Sequence, residues 1–579
     1  MEGTPVDPAE IKRVAVREVS RRGVLRGAGA LGVGALGLSR ADPVYAATTG
    51  YDEAVGVNPE RYQPPAGLAK PSPAKDAALA WINDNQRAVV QLNDRIWQFA
   101  ELSLREWQSS LAVAEFLRQH NFTIDWGTAG FPAAFTATFR HGAGGPVLGF
   151  NGEYDALPGL SQRAGAATHD PLIYNYDAYG PTYGPGHGDG HNLLGVASAA
   201  AAIATARGVR QQNLNATLKY FGSTGEEQLV GKAYAVRAGA YNGLDAFMDW
   251  HPLPVTSVDW SPFSALQSTT FTFLGAAGHG GSPLGNRSGL DGALLLATMS
   301  EYLREKNVGP AGRIHYAVIN GGGAPNVTPD ICSIWYYVRE GSPARLRVLH
   351  DKLMTCAGAA ASASQTRLTY RLNSAVWNLL GNKSAAELVF DNMQTIGPPR
   401  FTSDDVALAK SLQRALGRPE IGLPDSIVPL TPPRPTNVGG PSSDAADVSW
   451  ITPRVGFYAA CWPPGVPNHN WAATACTAHN IGHQGMLSAA RYMAATAVDL
   501  ITQPEVLAKI KQEHQQRKAG VEWRSLIPDD AQPPIYQPPP DFLRRTGQGW
   551  PPRGITWPVE PIIAHEQLGT TGPELPPVT

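Results

Sequence analysis

At 579 residues the chain is too long for a single hydrophobic core, so two domains plus tails are expected. Hydrophobic residues make up 43% and charged residues 17%, as in soluble globular proteins. A net charge of −2, with no basic stripe, zinc knuckle or RNA-binding pattern, argues against nucleic acid and anionic membranes as partners.

In chain order, the first feature is Ser20-Arg21-Arg22-Gly23-Val24-Leu25-Arg26, followed by the Gly/Ala/Leu run 27–38 and Val44-Tyr45-Ala46. This reads as a twin-arginine signal peptide over 1–46, with a periplasmic or secreted product starting near Ala47. The other readings are a disordered basic tail or an anchor. The run is too short and too rich in glycine to span a bilayer comfortably, so no stable membrane insertion is expected once the signal is removed.

Residues 47–75 read as a Pro- and Gly-rich leader. From Asp76 to about Gln119 an amphipathic pattern predicts one or two long helices. Strands are expected at AAFTATFRH, PVLGFNGEYD, ATLKYFGST and LDAFMDWH, with helices near 191–206 and 228–239. Strands separated by helices predict a mostly parallel α/β sheet. From about Ser264 the pattern changes to β-α-β-β-α-β, the order of a ferredoxin-like insert over 264–375. The strand RVGFYAAC and a helix from Gly482 to about Gln503 then return to the first sheet, giving an α/β domain of 76–263 plus 376–510. Residues 511–579 form a Pro-rich tail. Cys332, Cys356, Cys461 and Cys476 form no CxxC pattern and read as buried free thiols, with a Cys461–Cys476 bridge left open.

Metal-type side chains fall at four strand ends or loops: GHGDGHN (186–192), STGEEQ (223–228), DWHP (249–252) and PNHNW (467–471). Each has a plainer reading. His251 could cap a strand, Glu226-Glu227 could open a helix, His469 could be a loop residue, and the glycines could form a flexible turn or an anion nest. Together they point to a site at the carboxyl edge of a parallel sheet, where α/β folds bind ligands. In GPGHGDGHNLLG (184–195) glycine falls on every second position from Gly184 to Gly190, flanking Asp189 and preceding His191. In an extended loop these two point to one side, and the glycines would let the backbone approach an ion. His187, His479 and His483 are left out of the site as packing, loop and helix-start residues.

The motifs GEYDALPGLSQ (152–162), GHGDGHNLLG (186–195), GEE (225–227), WHP (250–252), GHGGSPLGNRSGLDG (278–292), NGGGAPNVTPD (320–330), DAADVSW (444–450) and HNWAATACTAHNIGHQGM (469–486) carry a resemblance. The chain resembles the metal-dependent aminoacylase/carboxypeptidase superfamily of zinc peptidases, on its branch of aminobenzoyl-glutamate hydrolase-like amidohydrolases. The resemblance implies two divalent ions per subunit, Zn²⁺ first and Mn²⁺ or Co²⁺ as alternatives. Asp189 would bridge them, Glu227 and His469 would complete one, and His191 and His251 the other. Glu226 would be the general base, and Asp155 would orient a ligand. Relatives on this branch usually carry Cys where Asp189 stands, which makes the expected site harder. Glu153 stands where the carboxypeptidase branch has a ligand His, a role that His191 takes over.

The insert would be a lid and homodimerisation domain, its His279 reaching the partner's site to stabilise the oxyanion. Asn326 and Arg339 match the pair that binds a substrate carboxylate. The implied activity is hydrolysis of an amide between an acyl or aroyl group and an amino acid with a free carboxylate. The alternatives are a dipeptidase or carboxypeptidase and, in another class, a non-catalytic metal- or peptide-binding protein.

Overall fold

A computed structural model describes residues 63–556 except 178–179, 259 and 434–438, together with the short strand Ile562–Ile563. The twin-arginine segment and most of the leader lie outside the described residues.

Four apolar runs form the parallel strands Val147–Gly152, Ala216–Gly222, Ala246–Leu253 and Arg454–Ala460. In space Ala216–Gly222 lies beside Val147–Gly152, which is followed by Ala246–Leu253 and Arg454–Ala460. Two antiparallel strands, Phe135–His141 and Thr123–Trp126, extend the Ala216–Gly222 side. The sheet is mostly parallel, as the alternation of strands and helices predicts. Thr123–Trp126 is an addition to the expected strands. Its four residues alternate between exposed and half-buried and carry little apolar signal.

The helix His191–Gln211 occupies the centre of the α/β body. Its run of alanines has high helix propensity and little bulk. That lets it wedge between the helices Pro73–Asp84 and Asn480–Thr502 and the sheet, where nearly every residue is buried. It is long and apolar enough to cross a membrane, but here it is a core helix.

Residues 73–119 form three helices rather than one or two: Pro73–Asp84, Gln86–Phe99 and Trp107–Gln119. The breaks come at Asn85 and at Ala100, which takes a left-handed conformation with φ of 42°. Neither break carries a Gly or Pro to announce it.

The second sheet contains Ala265–Leu274, Arg313–Asn320, Ile331–Glu340 and Arg367–Val376, all antiparallel to their neighbours. The first strand is flanked by the third and fourth, and the second lies beyond the third. The helices Gly289–Asn307 and Pro343–Ser364 complete the β-α-β-β-α-β order and pack with the sheet around a separate apolar core. Backbone pairing of Ile562–Ile563 with Arg367–Val376 adds a fifth strand.

The C-terminal segment is more ordered than its prolines suggest. A helix, Pro504–Lys518, runs across residue 511, and Ile527, Ile535 and Phe542 are buried against the body. All four cysteines are free thiols, three of them buried.

Candidate metal centre

The carboxyl ends of the four parallel strands deliver the predicted residues to one place. Beyond Gly152 lie Glu153 and Asp155, and beyond Gly222 the chain enters a short 3-10 turn, Glu226–Gln228. His251 is near the end of its strand, and the chain after Ala460 returns at His469.

Asp189 Oδ2 lies 3.4 Å from both His251 Nε2 and His469 Nε2, and 3.7 Å from His191 Nε2. His469 Nε2 is also 3.6 Å from Glu227 Oε2. Two three-donor groups result, Asp189-His191-His251 and Asp189-Glu227-His469, with donor atoms inside each group within 4.8 Å of one another. A third group, Glu153-His191-Glu226, overlaps them.

Each donor is aimed by a neighbour. Asp155 Oδ1 accepts from His191 Nδ1 at 2.8 Å, which turns Nε2 toward Asp189. Asp155 Oδ2 accepts from the Ser103 hydroxyl at 2.7 Å and from the Glu227 backbone N–H at 2.9 Å. The Pro252 carbonyl holds His251 Nδ1 at 2.8 Å, and Asn468 donates to Asp189 Oδ1 at 2.9 Å. Such outer partners fix which ring nitrogen is free to bind.

The donor chemistry fits cations. His191 Nε2 and Glu227 Oε1 are buried and make no hydrogen bond. Burial and the charges of Glu153 and Asp444 push the Glu226 carboxyl up to about 8. Burial and the adjacent Asp189 also push Glu227 well above its ordinary value. Burial opposes charge on Asp189, but His251 and His469 outweigh it and hold this carboxyl well below the usual range. Crowded carboxylates and imidazoles with unused lone pairs are what divalent ions satisfy.

The glycines serve a different purpose from the one expected. Gly190 alone in the GPGHGDG stretch needs a left-handed backbone, with φ of 77°, and His191 is already the first residue of its helix. Asp189 and His191 therefore converge across a helix start, not along an extended loop. A Cβ on Gly186 would come within 2.1 Å of the Leu160 carbonyl oxygen, and one on Gly195 within 2.3 Å of the Glu153 carbonyl oxygen. The side chains are missing because two backbones pack against this stretch.

Among the other histidines, His187 is buried with Nε2 3.1 Å from the Ile96 carbonyl oxygen, and His483 lies 2.8 Å from Asp94. His479 caps the helix Asn480–Thr502.

The strand Ile331–Glu340 of the insert reaches the centre. The Tyr337 hydroxyl donates to the Glu227 carbonyl oxygen at 2.7 Å. Arg339, two residues on, is half-buried, and its Nε is buried and makes no hydrogen bond. Burial pushes its pKa down, while the charges of Tyr337 and Glu226 act against that shift. His279 and Asn326 are elsewhere. Both are exposed near the Ile331 end of the strand Ile331–Glu340, His279 in the two-residue strand Gly278–His279 that pairs with Val327–Thr328, and Asn326 just before that partner. Arg339 lies eight residues along that strand, about 26 Å away at the usual rise. One chain does not bring Asn326 and Arg339 together, contrary to their reading as a pair.

Sequence reasoning missed the support beneath the centre. Lys232 is fully buried with Nζ 2.7 Å from Glu153 Oε1 and 2.7 Å from Asp444 Oδ1. Asn151 Nδ2 joins Glu153 to Asp249, which in turn pairs with Arg454 at 2.5 Å. A lysine inside the apolar run VGKAYAV was the available signal for a buried ion pair.

No family model matches the chain. A p-aminobenzoyl-glutamate hydrolase chain of Escherichia coli (strain K12) is 32% identical over 477 residues, covering 78% of this chain and 96% of the relative. The Xaa-Arg dipeptidase of Homo sapiens is 26% identical over 450 residues, covering 75% of this chain and 90% of the relative. Among solved structures, an aminobenzoyl-glutamate utilization protein from Klebsiella pneumoniae is 15% identical with a TM-score of 0.45, covering 70% of this chain and 97% of that one. With the first relative matched over nearly its whole length, the chain belongs to the p-aminobenzoyl-glutamate hydrolase family, within the metal-dependent aminoacylase/carboxypeptidase superfamily, and is a metal-dependent hydrolase of the amidohydrolase/peptidase class.

Proposed function

We propose that the protein hydrolyses the amide joining an acyl or aroyl group to an amino acid with a free α-carboxylate. The observation that carries this reading is the sharing of Asp189 between two three-donor groups beside the buried Glu226. Asp189 would bridge two ions, with Glu227 and His469 completing one set and His191 and His251 the other. Zn²⁺, or Mn²⁺ or Co²⁺, bound there would polarise the scissile carbonyl and acidify the attacking water.

Glu226 takes the proton of that water and passes it to the leaving nitrogen, a task suited to a carboxyl whose pKa is raised to about 8. Asp155 keeps the His191 ring in register. The Arg339 guanidinium fork receives the substrate carboxylate from the Glu226–Glu227 side. His279 and Asn326 act on the site of a second copy, in a homodimer formed through the ferredoxin-like insert as lid. The twin-arginine segment supports export to the periplasm or beyond.

The names of the relatives set the substrate range to test. One is a hydrolase of p-aminobenzoyl-glutamate, and the other, a dipeptidase, supports small peptides as a second reading. The test is p-aminobenzoate release from p-aminobenzoyl-glutamate, compared with dipeptide cleavage, before and after chelation and Zn²⁺ restoration. Release that chelation abolishes and Zn²⁺ restores is expected. Cleavage of dipeptides alone would favour the second reading, and no cleavage of any amide by metal-loaded protein would overturn both.

A further inference from the structure

One buried carboxyl group near the centre has no part in the reaction above. Glu106 is fully buried and stands immediately before the helix Trp107–Gln119, the position from which a side chain can cap the first turn. Its carboxyl makes no such cap. Glu101 takes that task instead, accepting from the backbone N–H groups of Gln108 at 2.9 Å and Ser109 at 2.8 Å.

Glu106 reaches across the fold. Its Oε1 accepts from the Gly225 backbone N–H at 2.7 Å, and its Oε2 accepts from the Thr224 hydroxyl. Both partners lie in the link between the strand Ala216–Gly222 and the turn Glu226–Gln228, which opens with the proposed base and a proposed ligand. Gly225 has a φ of 67°, and a Cβ there would come within 2.6 Å of Leu104 Cδ2. The link is therefore held from the side as well as by its two hydrogen bonds.

The same short segment grips the neighbouring strand end. The Ser103 hydroxyl donates to Asp155 Oδ2 at 2.7 Å, and the Glu101 carbonyl oxygen accepts from the Ala156 N–H at 2.8 Å. Residues 101–106 thus join the two stretches that carry Asp155 and the Glu226-Glu227 pair. A carboxyl group buried among such neighbours costs free energy unless its oxygens are satisfied, and both Glu106 oxygens are satisfied by this one link. Burial and then the charge of Asp155 push the Glu106 carboxyl up, so a neutral amide is a close substitute for it. We propose that Glu106 is a positioning residue that fixes the Thr224-Gly225 link and, through it, the placement of Glu226 and Glu227. That role rests on the amide-hydrolase reading above and adds the support of its base.

The experiment compares the full chain with its Glu106→Ala, Glu106→Gln and Thr224→Val variants. Zn²⁺ affinity is measured by competition with a chromophoric chelator, and kcat on p-aminobenzoyl-glutamate at saturating Zn²⁺. Glu106→Ala should lower kcat, Zn²⁺ affinity or both by about 10–100-fold. Glu106→Gln should recover most of that loss, because its amide can accept from the Gly225 N–H and donate to the Thr224 oxygen. Thr224→Val, which removes one of the two contacts, should fall between them. Wild-type kcat and affinity in folded Glu106→Ala, with any loss confined to thermal stability, overturn the proposal. A glutamine variant as impaired as the alanine variant overturns it too. Should Glu106→Ala fail to fold, Thr224→Val decides: a loss supports the role and wild-type values refute it. If the wild type binds Zn²⁺ but cleaves no amide, the hydrolase reading falls and the affinities alone decide the positioning role. A wild type that binds no Zn²⁺ overturns both.

Discussion

Replacing Lys232 by Met removes a cation that two buried carboxylates share. Its Nζ lies 2.7 Å from Glu153 Oε1 and 2.7 Å from Asp444 Oδ1, with no exposed side-chain surface on any partner beyond 2%. Burial works against the ammonium, but Asp444 and then Glu153 outweigh it and keep its pKa well above the ordinary value. Methionine fills nearly the same volume, so the change is electrostatic and not a matter of packing. Breaking a buried pair by deleting one partner costs about 3–5 kcal/mol, because the surviving charge stays buried without compensation. Here two charges survive, which places the expected loss at the upper end of that range. Equilibrium urea unfolding of the metal-free protein, followed by tryptophan fluorescence, measures it. The triple variant Lys232→Met/Glu153→Gln/Asp444→Asn should recover more than half of the loss, since no ion is then stranded. A loss below about 1 kcal/mol, or a triple variant no more stable than the single one, would show that the triad does not support the centre electrostatically.

Glu226→Gln should retain metal, as measured by inductively coupled plasma analysis, and lose about 10²–10⁴ in kcat; near-normal turnover would remove Glu226 from proton transfer. His279→Ala and Glu226→Ala variants, each inactive alone, should regain activity on mixing, because one hybrid site then has both groups. Verified subunit exchange without recovery would refute a histidine acting across the dimer. His350 supplies the pH dependence: burial lowers its pKa to about 4, while its Nε2 faces Thr269 and Gln267. Its folded pKa is below the unfolded value, so its contribution is intact above about pH 6.5 and is lost as pH falls toward 4. Wild type should therefore lose about 2 kcal/mol through this group between pH 7 and 5, and His350→Gln should have a correspondingly flatter urea profile.

Much of the architecture is legible in the sequence because its signals are local. The insert strands Arg313–Asn320 and Ile331–Glu340 coincide with the apolar runs RIHYAVIN and ICSIWYYVRE, which are bounded by turn-forming residues. The donors Asp189, His191, Glu227, His251 and His469 stand out because carboxylates and imidazoles recur at successive strand ends. What stays hidden depends on contacts between distant segments. Nothing near Lys232 in sequence announces Asp444, and the glycines around Asp189 answer to Leu160 and Glu153. The distance from Asn326 to Arg339 needs the strand between them to be straight, which spacing alone does not reveal. The ordered tail is of the same kind, its burial supplied by surfaces far earlier in the chain.

The glycine-lined approach of two backbones to residues 184–195 also bears on how the donors can be displaced. Carbonyl oxygens of Leu160 and Glu153 press against this stretch, and the buried helix beginning at His191 anchors its far end. Packing therefore fixes where the stretch that carries Asp189 and His191 lies in the fold. A larger residue at Gly186 or Gly195 would push this stretch away and so move Asp189 and His191 together, without touching either donor.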